Sequence, residues 1–352
     1  MTVAVNARVT AMAMGGQQRY AAEVIKRLDE VEIIAPHGPL NGAKGHLWEQ
    51  AVLPWRARGR LLWSPSTTGP VSMRRQVVTI HDVAFLDAPQ FFSRSFRAFY
   101  AAITPLLARR AAHIVTVSNF SRDRIIARLS APPDRVSVFG GAVSEQFRPQ
   151  SPESVAKTRA ALNLPQRYFV LQATSDRRKN LAGALRAWAE ALPSLPDDLF
   201  LVVSGSLDRA HVFGKADDVA AAPRVVSLGF VAEAHMAPLL AGAEAFLFPS
   251  HYEGFGLPIV EAMACGTPVL TSAATATQEI AAGKALLVDP ASVADIARGV
   301  VELAQNAELR RRLAAEGPPH AAKFAWDDVA RRYRDLFAEL QRDSAASVFA
   351  RA

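Results

Sequence analysis

The sequence predicts an α/β protein made of two Rossmann-like, doubly wound domains. The chain has 352 residues, half of them apolar, and short β-rich runs alternate with helical patterns along its length. Strands that alternate with helices form parallel sheets with crossover connections. A chain of this length exceeds one typical core, so the two successive sets of strands indicate two domains.

In the first half, runs of β-branched and aliphatic residues stop next to Pro, Gly, Asn or Asp, as strands do. We expect strands at Val3–Asn6, Val31–Ala35, Leu61–Ser64, Val77–His81, Ile114–Ser118 and Val136–Phe139. Apolar residues at helical spacing follow several of these runs and predict helices, at Gln17–Leu28, Ser93–Ala111 and Ser121–Leu129.

The second half repeats the alternation. We expect strands at Tyr168–Ala173, Leu199–Ser204, Val225–Leu228, Ala245–Phe248, Val269–Thr271 and Ala285–Val288, and helices at Asn180–Leu192, Glu233–Ala241, Pro258–Cys265, Val293–Asn306 and Asp327–Gln341. The polar, proline-rich segment Phe147–Glu153 between the two sets is typical of a linker. The predicted domains are therefore residues 1–150 and residues 166–326.

Composition narrows the class of protein. The single cysteine, Cys265, excludes an intrachain disulfide and is typical of a reducing compartment, so we expect a cytoplasmic protein. The first residues lack the basic start and apolar core of a signal peptide, and no apolar run is as long as a membrane span.

The net charge of +7 is unevenly distributed, because residues 1–150 carry 19 basic and 10 acidic side chains. A basic first half favours an anionic partner. An anionic membrane surface, an anionic acceptor and a merely solvated basic face all remain open. We expect no nucleic-acid partner, because no nucleic-acid-binding motif accompanies the basic residues.

The run from Ser250 to Val269 carries the clearest chemical signal. Proline is favoured at the first position of a helix, so Leu257-Pro258 predicts a helix start, with Glu253 in the preceding loop and Glu261 in the first turns. Backbone amides at such a start lack intrahelical partners and bind anions. Two carboxylates that flank these amides suit a phosphate between two hydroxyl-bearing groups, as in a nucleotide sugar.

Two other interpretations of this run are open. The two glutamates could be a helix cap and a surface residue, or they could be the acid/base pair of a glycosidase. The anion site between them argues against a glycosidase. The amides that we assign to this site belong to Phe255, Gly256 and Leu257.

Three further positions follow predicted strands. The run Ser175–Asn180 contains Arg178 and Lys179, which can stabilise the charge of a departing diphosphate; a solvated basic turn is the alternative. His81 can contact a sugar hydroxyl or assist a developing charge, although a lone histidine is more often structural. Gly15-Gly16 opens a helix and leaves room for a ligand to approach the backbone, but a plain turn explains it equally well.

Several motifs are missing from the sequence. It has no D-x-D pair, no Cys/His cluster with metal-ligand spacing, no G-x-G-x-x-G fingerprint, and no G-x-S-x-G or Walker motif. We therefore expect a mechanism that uses neither a metal ion nor a cofactor.

From about residue 1 to residue 340, the chain resembles family 4 of the retaining glycosyltransferases, which have the GT-B fold. The two glutamates, Glu253 and Glu261, match the E-x7-E element of that family. The other matching segments are Gly16–Tyr20, Thr79–Asp82, Val115–Ser121, Arg178–Asn180, Leu228–Val231, Phe246–Ser250, Thr277–Ile280 and Leu287–Pro290.

The resemblance implies that the second domain binds the nucleotide sugar and the first domain binds the acceptor, with the helix at 327–342 crossing back to the first domain. Glu253 would hold hydroxyls of the transferred sugar, Glu261 the ribose, and Arg178 and Lys179 the diphosphate. The implied catalytic residues are His81, Arg178, Lys179 and Glu253. The implied nucleotide-sugar-binding residues are Gly15, Gly16, Arg178, Lys179, Glu253, Gly254, Phe255, Gly256, Leu257 and Glu261.

The resulting hypothesis is a retaining, metal-independent hexosyltransferase of surface polysaccharide biosynthesis. Its best-guess donor is GDP-mannose, and its acceptor is a glycan or a lipid-linked glycan. The alternative is a non-catalytic nucleotide-sugar-binding subunit of a polysaccharide synthase complex. Aromatic and cationic residues mix in the stretch Phe91–Tyr100, which either helps the first domain meet an anionic membrane or lipid-linked acceptor at the inner face of the cytoplasmic membrane, or is an ordinary core-facing helix.

Overall fold

The computed structural model describes residues 2–11, 15–40, 42–172, 174, 176–205 and 223–349, and side chains up to residue 343. The chain divides into two compact units. The first comprises Met1–Ala142 and Ala325–Ala352, and the second comprises Val143–Phe324. Ala173, at the end of a predicted strand, and Ser175, in the predicted cationic run, lie outside the described residues.

The first unit contains a parallel sheet of six strands in the order β2-β1-β3-β4-β5-β6. The connection changes direction between β1 and β3, and such a switch point is where doubly wound domains usually bind ligands. The strands are β1 Val3–Asn6, β2 Val31–Ile34, β3 Leu62–Ser64, β4 Gln76–Thr79, β5 His113–Thr116 and β6 Val136–Val138.

Helices cover this sheet and supply its core. Leu107 and Ala108 pack with Ile125 and Leu129 against Val78 and its neighbours on the strands. The helices are α1 Gly16–Ile25, α2 Gly42–Ala51, α3 Leu53–Arg56, α4 Ala84–Asp87, α5 Arg94–Arg110 and α6 Asn119–Leu129. The Ser93 and Ser118 hydroxyls cap α5 and α6 by accepting hydrogen bonds from backbone amides of their first turns.

The second unit contains another six-stranded parallel sheet, ordered β12-β11-β10-β7-β8-β9. Its switch point lies between β7 and β10, which pair in parallel. The strands are β7 Arg167–Gln172, β8 Leu199–Ser204, β9 Val225–Gly229, β10 Ala245–Phe248, β11 Val269–Ser272 and β12 Leu286–Val288. The two sheets confirm the predicted α/β class with two doubly wound domains.

Apolar faces of the second unit's helices pack on both sides of its sheet. Trp188, for example, is fully buried beside Phe169. The helices of this unit are α7 Pro152–Ala161, α8 Leu181–Ala191, α9 Glu233–Ala241, α10 Leu257–Ala264, α11 Thr275–Ala281, α12 Val293–Gln305 and α13 Ala307–Ala321.

The segment predicted as a linker, Phe147–Glu153, packs into the second unit. Phe147 is buried in its core beside Leu164, and the Ser151 hydroxyl caps α7 by accepting from the Ser154 amide. The polar residues of this segment therefore include a helix cap. The boundary between the two units lies earlier in the chain, between Ala142 and Val143.

The last helix, α14 (Trp326–Phe349), returns to the first unit, as the resemblance implied. Tyr333 of α14 is fully buried, and its hydroxyl lies 2.7 Å from Thr79 Oγ1 and 3.2 Å from the Tyr20 hydroxyl. Trp63 Nε1 donates to the same Thr79 oxygen over 3.0 Å. This chain of hydroxyls ties α14 to α1 and to the end of β4.

A charged network is buried at the switch point of the first unit. Glu49 of α2 is inaccessible to solvent and lies 3.1 Å from Arg8 Nη2. Asn6, at the end of β1, donates to its carboxylate over 2.8 Å, and the Thr68 hydroxyl, beyond β3, donates over 3.0 Å. His46 Nδ1 lies 3.3 Å from the same carboxylate. The network joins α2 to the loops that follow β1 and β3.

We expect the substitution Glu49→Ala to lower the free energy of unfolding by about 3–5 kcal/mol, because it leaves the buried Arg8 guanidinium without its counter-charge. Urea denaturation near neutral pH measures this loss. The control is Glu32→Ala, which removes a half-exposed carboxylate paired with Arg60 and should cost less than about 1 kcal/mol. Equal losses in the two variants would contradict a structural role for the buried pair.

The pair of Glu49 and Arg8 also leads to a prediction about how stability depends on pH. Burial acts to raise the pKa of Glu49, but the hydrogen bond from His46 and the charge of Arg8 outweigh it and hold the pKa below its ordinary value of 4.5. A depressed pKa stabilises the fold above the ordinary value, and the contribution disappears as pH falls through the lower value. The stability difference between the native protein and Glu49→Gln should therefore narrow only in acid.

Candidate active site

The polar side chains of the second unit gather at its switch point, where β7 and β10 end. A single turn, Arg177–Lys179, follows β7. Asp176 starts this turn, and its carboxylate accepts a hydrogen bond from the Arg178 amide over 2.9 Å. The sequence forms a turn here because an aspartate before a short helix satisfies an amide that has no intrahelical partner.

Asp176 also binds the side chain of Arg178. The Arg178 guanidinium donates from Nε and Nη2 to the Asp176 carboxylate, the shorter distance being 2.6 Å. Burial acts to raise the pKa of Asp176, but these hydrogen bonds and the charge of Arg178 outweigh it, so the pKa lies below its ordinary value. The aspartate is therefore ionised at neutral pH and offsets one of the cations.

Lys179 connects the turn after β7 to the loop after β10. Its ammonium Nζ lies 2.7 Å from Glu253 Oε1 and 4.5 Å from the centre of the Phe248 ring. Both members of the ion pair are largely buried. An ammonium group has three N–H donors, so Lys179 can keep Glu253 and still donate to a phosphate. Glu253 likewise keeps a second oxygen for a hydroxyl group.

Asn180 holds this arrangement in place. Its backbone is left-handed, with φ of 56°, so the chain leaves the turn directly into α8. The buried side-chain amide donates to the carbonyl oxygens of Pro249, 3.0 Å away, and Pro290, 2.8 Å away. In addition, the His251 amide donates to the Arg178 carbonyl over 2.8 Å. Three loops at the carboxyl edge of the sheet are thereby joined.

The loop after β10 ends in α10, which begins at Leu257 as predicted. Gly256 precedes the helix with φ of 99°, and Pro258 occupies its first turn. No residue in the described part of the chain accepts a hydrogen bond from the amides of Phe255, Gly256 or Leu257. Free amides at the positive end of a helix dipole are suited to bind an anion.

Glu261 lies inside α10 and is buried, with 6% of its surface exposed. Cys265, which ends the helix, has a pKa that is raised to about 12, mainly by burial and further by the charge of Glu261. The cysteine is therefore an uncharged thiol at neutral pH. Glu253 and Glu261 thus occupy the two positions that the sequence predicted, in the loop ahead of the helix and within it.

In the first unit, His81 follows β4 and is buried. Its Nε2 lies 2.9 Å from the Pro65 carbonyl oxygen, and its ring meets the Tyr20 ring edge-on at 5.0 Å. Burial lowers its pKa, although the Pro65 carbonyl and the charge of Asp82 act to raise it. A neutral ring that donates from Nε2 leaves Nδ1 as an acceptor, so His81 is suited to accept a hydrogen bond from a hydroxyl.

Gly15 and Gly16 are exposed at the start of α1. Neither has a positive φ, and a methyl group added at Gly16 would meet no atom within 4 Å. The local backbone therefore does not require glycine at Gly16. The space that it leaves is compatible with a ligand beside the backbone, and this role stays a prediction.

The structure thus brings together Arg178, Lys179, Glu253 and the amides of residues 255–257 in the second unit, while His81, Gly15 and Gly16 belong to the first. Sequence reasoning included Asp176 and Asn180 in the cationic run but assigned neither of them a role. Within the described ranges, no group of three His, Cys, Asp or Glu residues could hold a metal ion. In the same ranges, no helix is long and apolar enough to cross a membrane.

Two protein-family models match the chain. The model described as glycosyl transferases group 1 matches residues 155–319, and the model described as glycosyltransferase family 4 matches residues 65–147. The first match contains the turn after β7 and both glutamates. The second match contains His81.

Curated relatives and solved structures agree with these models. The chain is 31% identical to O-antigen chain mannosyltransferase B of Escherichia coli, over 74% of this chain and 69% of the relative. It is 27% identical to the serotype-specific mannosyltransferase WbdA of Escherichia coli, of which it spans 34%. Among structures, HepE of Anabaena in complex with UDP and glucose has a TM-score of 0.77 at 18% identity, over 96% of this chain and all of that one.

We expect the substitution Gly256→Ala to destabilise the second unit. The backbone at this position is left-handed, and an added methyl group would lie 2.9 Å from Ile259 Cδ1. Strain of this kind costs of order 1–3 kcal/mol, which thermal unfolding measures as a lower Tm.

Gly16→Ala is the matched control, since that position has open space and a negative φ and lies at the start of a helix. It should leave the Tm unchanged. If both variants unfolded at the temperature of the native protein, the loop ahead of α10 would not depend on the left-handed glycine.

Proposed function

The chain belongs to glycosyltransferase family 4, and on this premise we propose that it is a retaining, metal-independent hexosyltransferase. It transfers mannose from GDP-mannose to a glycan or a lipid-linked glycan in the biosynthesis of a surface polysaccharide. One observation carries the proposal: the Lys179–Glu253 pair lies in the loops that join at the switch point of the second unit, next to the free amides of residues 255–257.

The two members of this pair suit the two halves of an activated sugar. Lys179 offers its remaining N–H groups to the diphosphate, and Glu253 offers its second oxygen to hydroxyls of the sugar. The amides of residues 255–257 supply further donors without adding a mobile charge. Glu261, buried in the helix that follows them, accepts hydrogen bonds from the hydroxyls of the ribose in this proposal.

In the proposed reaction, the bond between the sugar C1 and the diphosphate oxygen breaks while the acceptor oxygen attacks from the same face. The acceptor proton passes to the departing phosphate oxygen, so no protein base is needed. Negative charge grows on the diphosphate, and Lys179 and Arg178 stabilise it more strongly in the transition state than in the ground state. His81, neutral with Nδ1 as an acceptor, orients a hydroxyl of the sugar.

The relatives support mannose as the sugar. Two of those described above are named as mannosyltransferases, and one of them acts on the O-antigen chain. The alternative of a non-catalytic subunit has no particular observation in its favour, since the chain retains all five side chains of the proposed mechanism, namely Arg178, Lys179, Glu253, Glu261 and His81.

We expect the purified protein to hydrolyse GDP-mannose slowly in the presence of EDTA and to release α-mannose first. Donor hydrolysis without an acceptor reports on the same bond cleavage, and proton NMR identifies the anomer before it equilibrates. Release of β-mannose would contradict retention, and a strict requirement for a divalent ion would contradict the metal-independent mechanism.

Two variants separate the roles of the site residues in this assay. Lys179→Ala should lower kcat by about two to three orders of magnitude, as the removal of one preorganised donor to a developing anion does. Glu261→Ala should mainly raise the KM for GDP-mannose, because it removes a contact that exists equally in the ground state and the transition state. An unchanged kcat in Lys179→Ala would remove this lysine from catalysis.

We also propose that the protein works in the cytoplasm, at the inner face of an anionic membrane. Rings in the stretch Phe91–Tyr100 stack on one another, with Phe96 4.3 Å from Tyr100 and 5.3 Å from Phe92. These rings pack against one another, and Phe96 remains 39% exposed. A more exposed apolar surface is formed by α2 and α3, where Leu47 and Trp55 are 69% and 76% exposed.

The charge around this surface favours an anionic bilayer as its partner. Residues 42–60 carry four cations and a single carboxylate, Glu49, which is buried and paired. A second copy of the chain would bring like charges together, whereas exposed apolar side chains flanked by cations are typical of an interfacial helix. Tryptophan in particular prefers the boundary between headgroups and hydrocarbon.

We expect the protein to float with vesicles that contain phosphatidylglycerol and not with neutral vesicles. Trp55→Ser should weaken this binding roughly thirtyfold, since burial of an apolar side chain is worth about 2 kcal/mol. Phe230→Ser is the matched control, because Phe230 is an equally exposed aromatic residue (80%) of the second unit. Equal flotation of both variants would exclude this surface.

A further inference from the structure

The first unit has a surface cavity of about 420 Å³ between α4 and the first turns of α5. A cavity of this size matches the sites that bind small molecules. Two residues of α4 and four of α5 line it, namely Phe85, Leu86, Arg94, Arg97, Ala98 and Ala101.

The cavity lies close to the carboxyl end of β4, which is also where His81 is found. Strand β4 ends at Thr79, and α4 begins at Ala84, whose amide donates to Asp82 Oδ1 over 2.9 Å. Phe85 therefore lies only four residues after His81 in the chain. Because doubly wound domains bind ligands at the carboxyl ends of their strands, this is where a ligand of the first unit is expected.

Two uncompensated positive charges border the cavity. Neither Arg94 nor Arg97 makes a side-chain hydrogen bond or an ion pair with any residue that the structure describes. The nearest carboxylate on α4, Asp87, lies 2.6 Å from Arg124 and 2.7 Å from Arg128 and is therefore already paired. Helix α5 contains no acidic residue, so nothing on that helix offsets the two guanidinium groups.

The floor of the cavity is apolar. Phe85 is buried in the core, and Leu86 packs against the same cluster. On the α5 side the lining residues besides the arginines are alanines, which leave the floor open to a flat or chain-like group. Guanidinium groups bind phosphate oxygens through paired N–H donors, and an apolar floor binds hydrocarbon.

From this combination we propose that the cavity binds the phosphate group and the first carbons of a lipid phosphate. This assignment rests on the proposed function, in which the lipid phosphate is the carrier end of the lipid-linked acceptor glycan. A free inorganic anion would use the two arginines and leave the apolar floor unused. An uncharged lipid would use the floor and leave both charges unpaired.

Titration calorimetry with the full-length protein tests the proposal, with farnesyl phosphate as the probe. Farnesol and inorganic phosphate represent the lipid and the anion alone. The native protein should bind farnesyl phosphate more tightly than either of these, and R94Q/R97Q should bind it at least about tenfold more weakly, because both charge-assisted contacts are lost. Ala98→Phe, which fills the cavity without a change in charge, should weaken binding as well.

The matched control is R109Q/R110Q, which removes the same two charges from the last turn of the same helix and should bind farnesyl phosphate as the native protein does. Equal affinity in both double variants would overturn the proposal, as would inorganic phosphate or farnesol binding as tightly as farnesyl phosphate. GDP-mannose titrated into R94Q/R97Q should bind with native affinity. If GDP-mannose failed to bind the native protein, the proposed donor would be wrong, and the titrations with farnesyl phosphate would still decide whether the cavity binds a lipid phosphate.

Discussion

The turn after β7 is fastened to the loop after β10, and the rest of the candidate site depends on this attachment. Lys179 forms a 2.7 Å ion pair with Glu253, and the His251 amide donates to the Arg178 carbonyl. Asn180 donates to a carbonyl of the same loop, at Pro249, and to one of the loop after β12, at Pro290. The left-handed backbone of Asn180 turns the chain from the short helix into α8, next to these contacts. The position of Glu253 is therefore set by residues some seventy positions earlier in the chain.

The two units have the same kind of sheet and use their switch points differently. In the second unit, the switch point between β7 and β10 carries partly exposed charges and free amides. In the first unit, the crevice between β1 and β3 is filled by Glu49, which binds Arg8, Asn6 and Thr68. A buried ion pair therefore occupies the position where such domains usually bind a ligand. The sites proposed for the first unit lie further along the same carboxyl edge, at His81 and at the cavity beside α5.

The alternation of strands and helices was sufficient to predict both sheets and the helix start at Leu257, because these depend on local pattern. Helices such as α2 and α13 were missed, since Gly42 and Gly45 interrupt the first and Pro318 and Pro319 lie inside the second. The sequence also contains three consecutive cationic residues after β7, Arg177 to Lys179, and these were predicted to bind a diphosphate. It could not show that Asp176 pairs with Arg178 or that Glu253 pairs with Lys179, because side-chain pairing across loops depends on tertiary structure.

These pairings change how the site can act on a diphosphate. Three unopposed cations would bind a diphosphate tightly in every state, including the product, and uniform binding does not accelerate a reaction. With Asp176 and Glu253 present, the five side chains from Asp176 to Lys179 and at Glu253 carry a net charge of only +1. In the proposed transfer, Lys179 divides its hydrogen bonds between Glu253 and the diphosphate. Its attraction to the diphosphate strengthens as charge develops there, so the pairing favours the transition state over the bound donor.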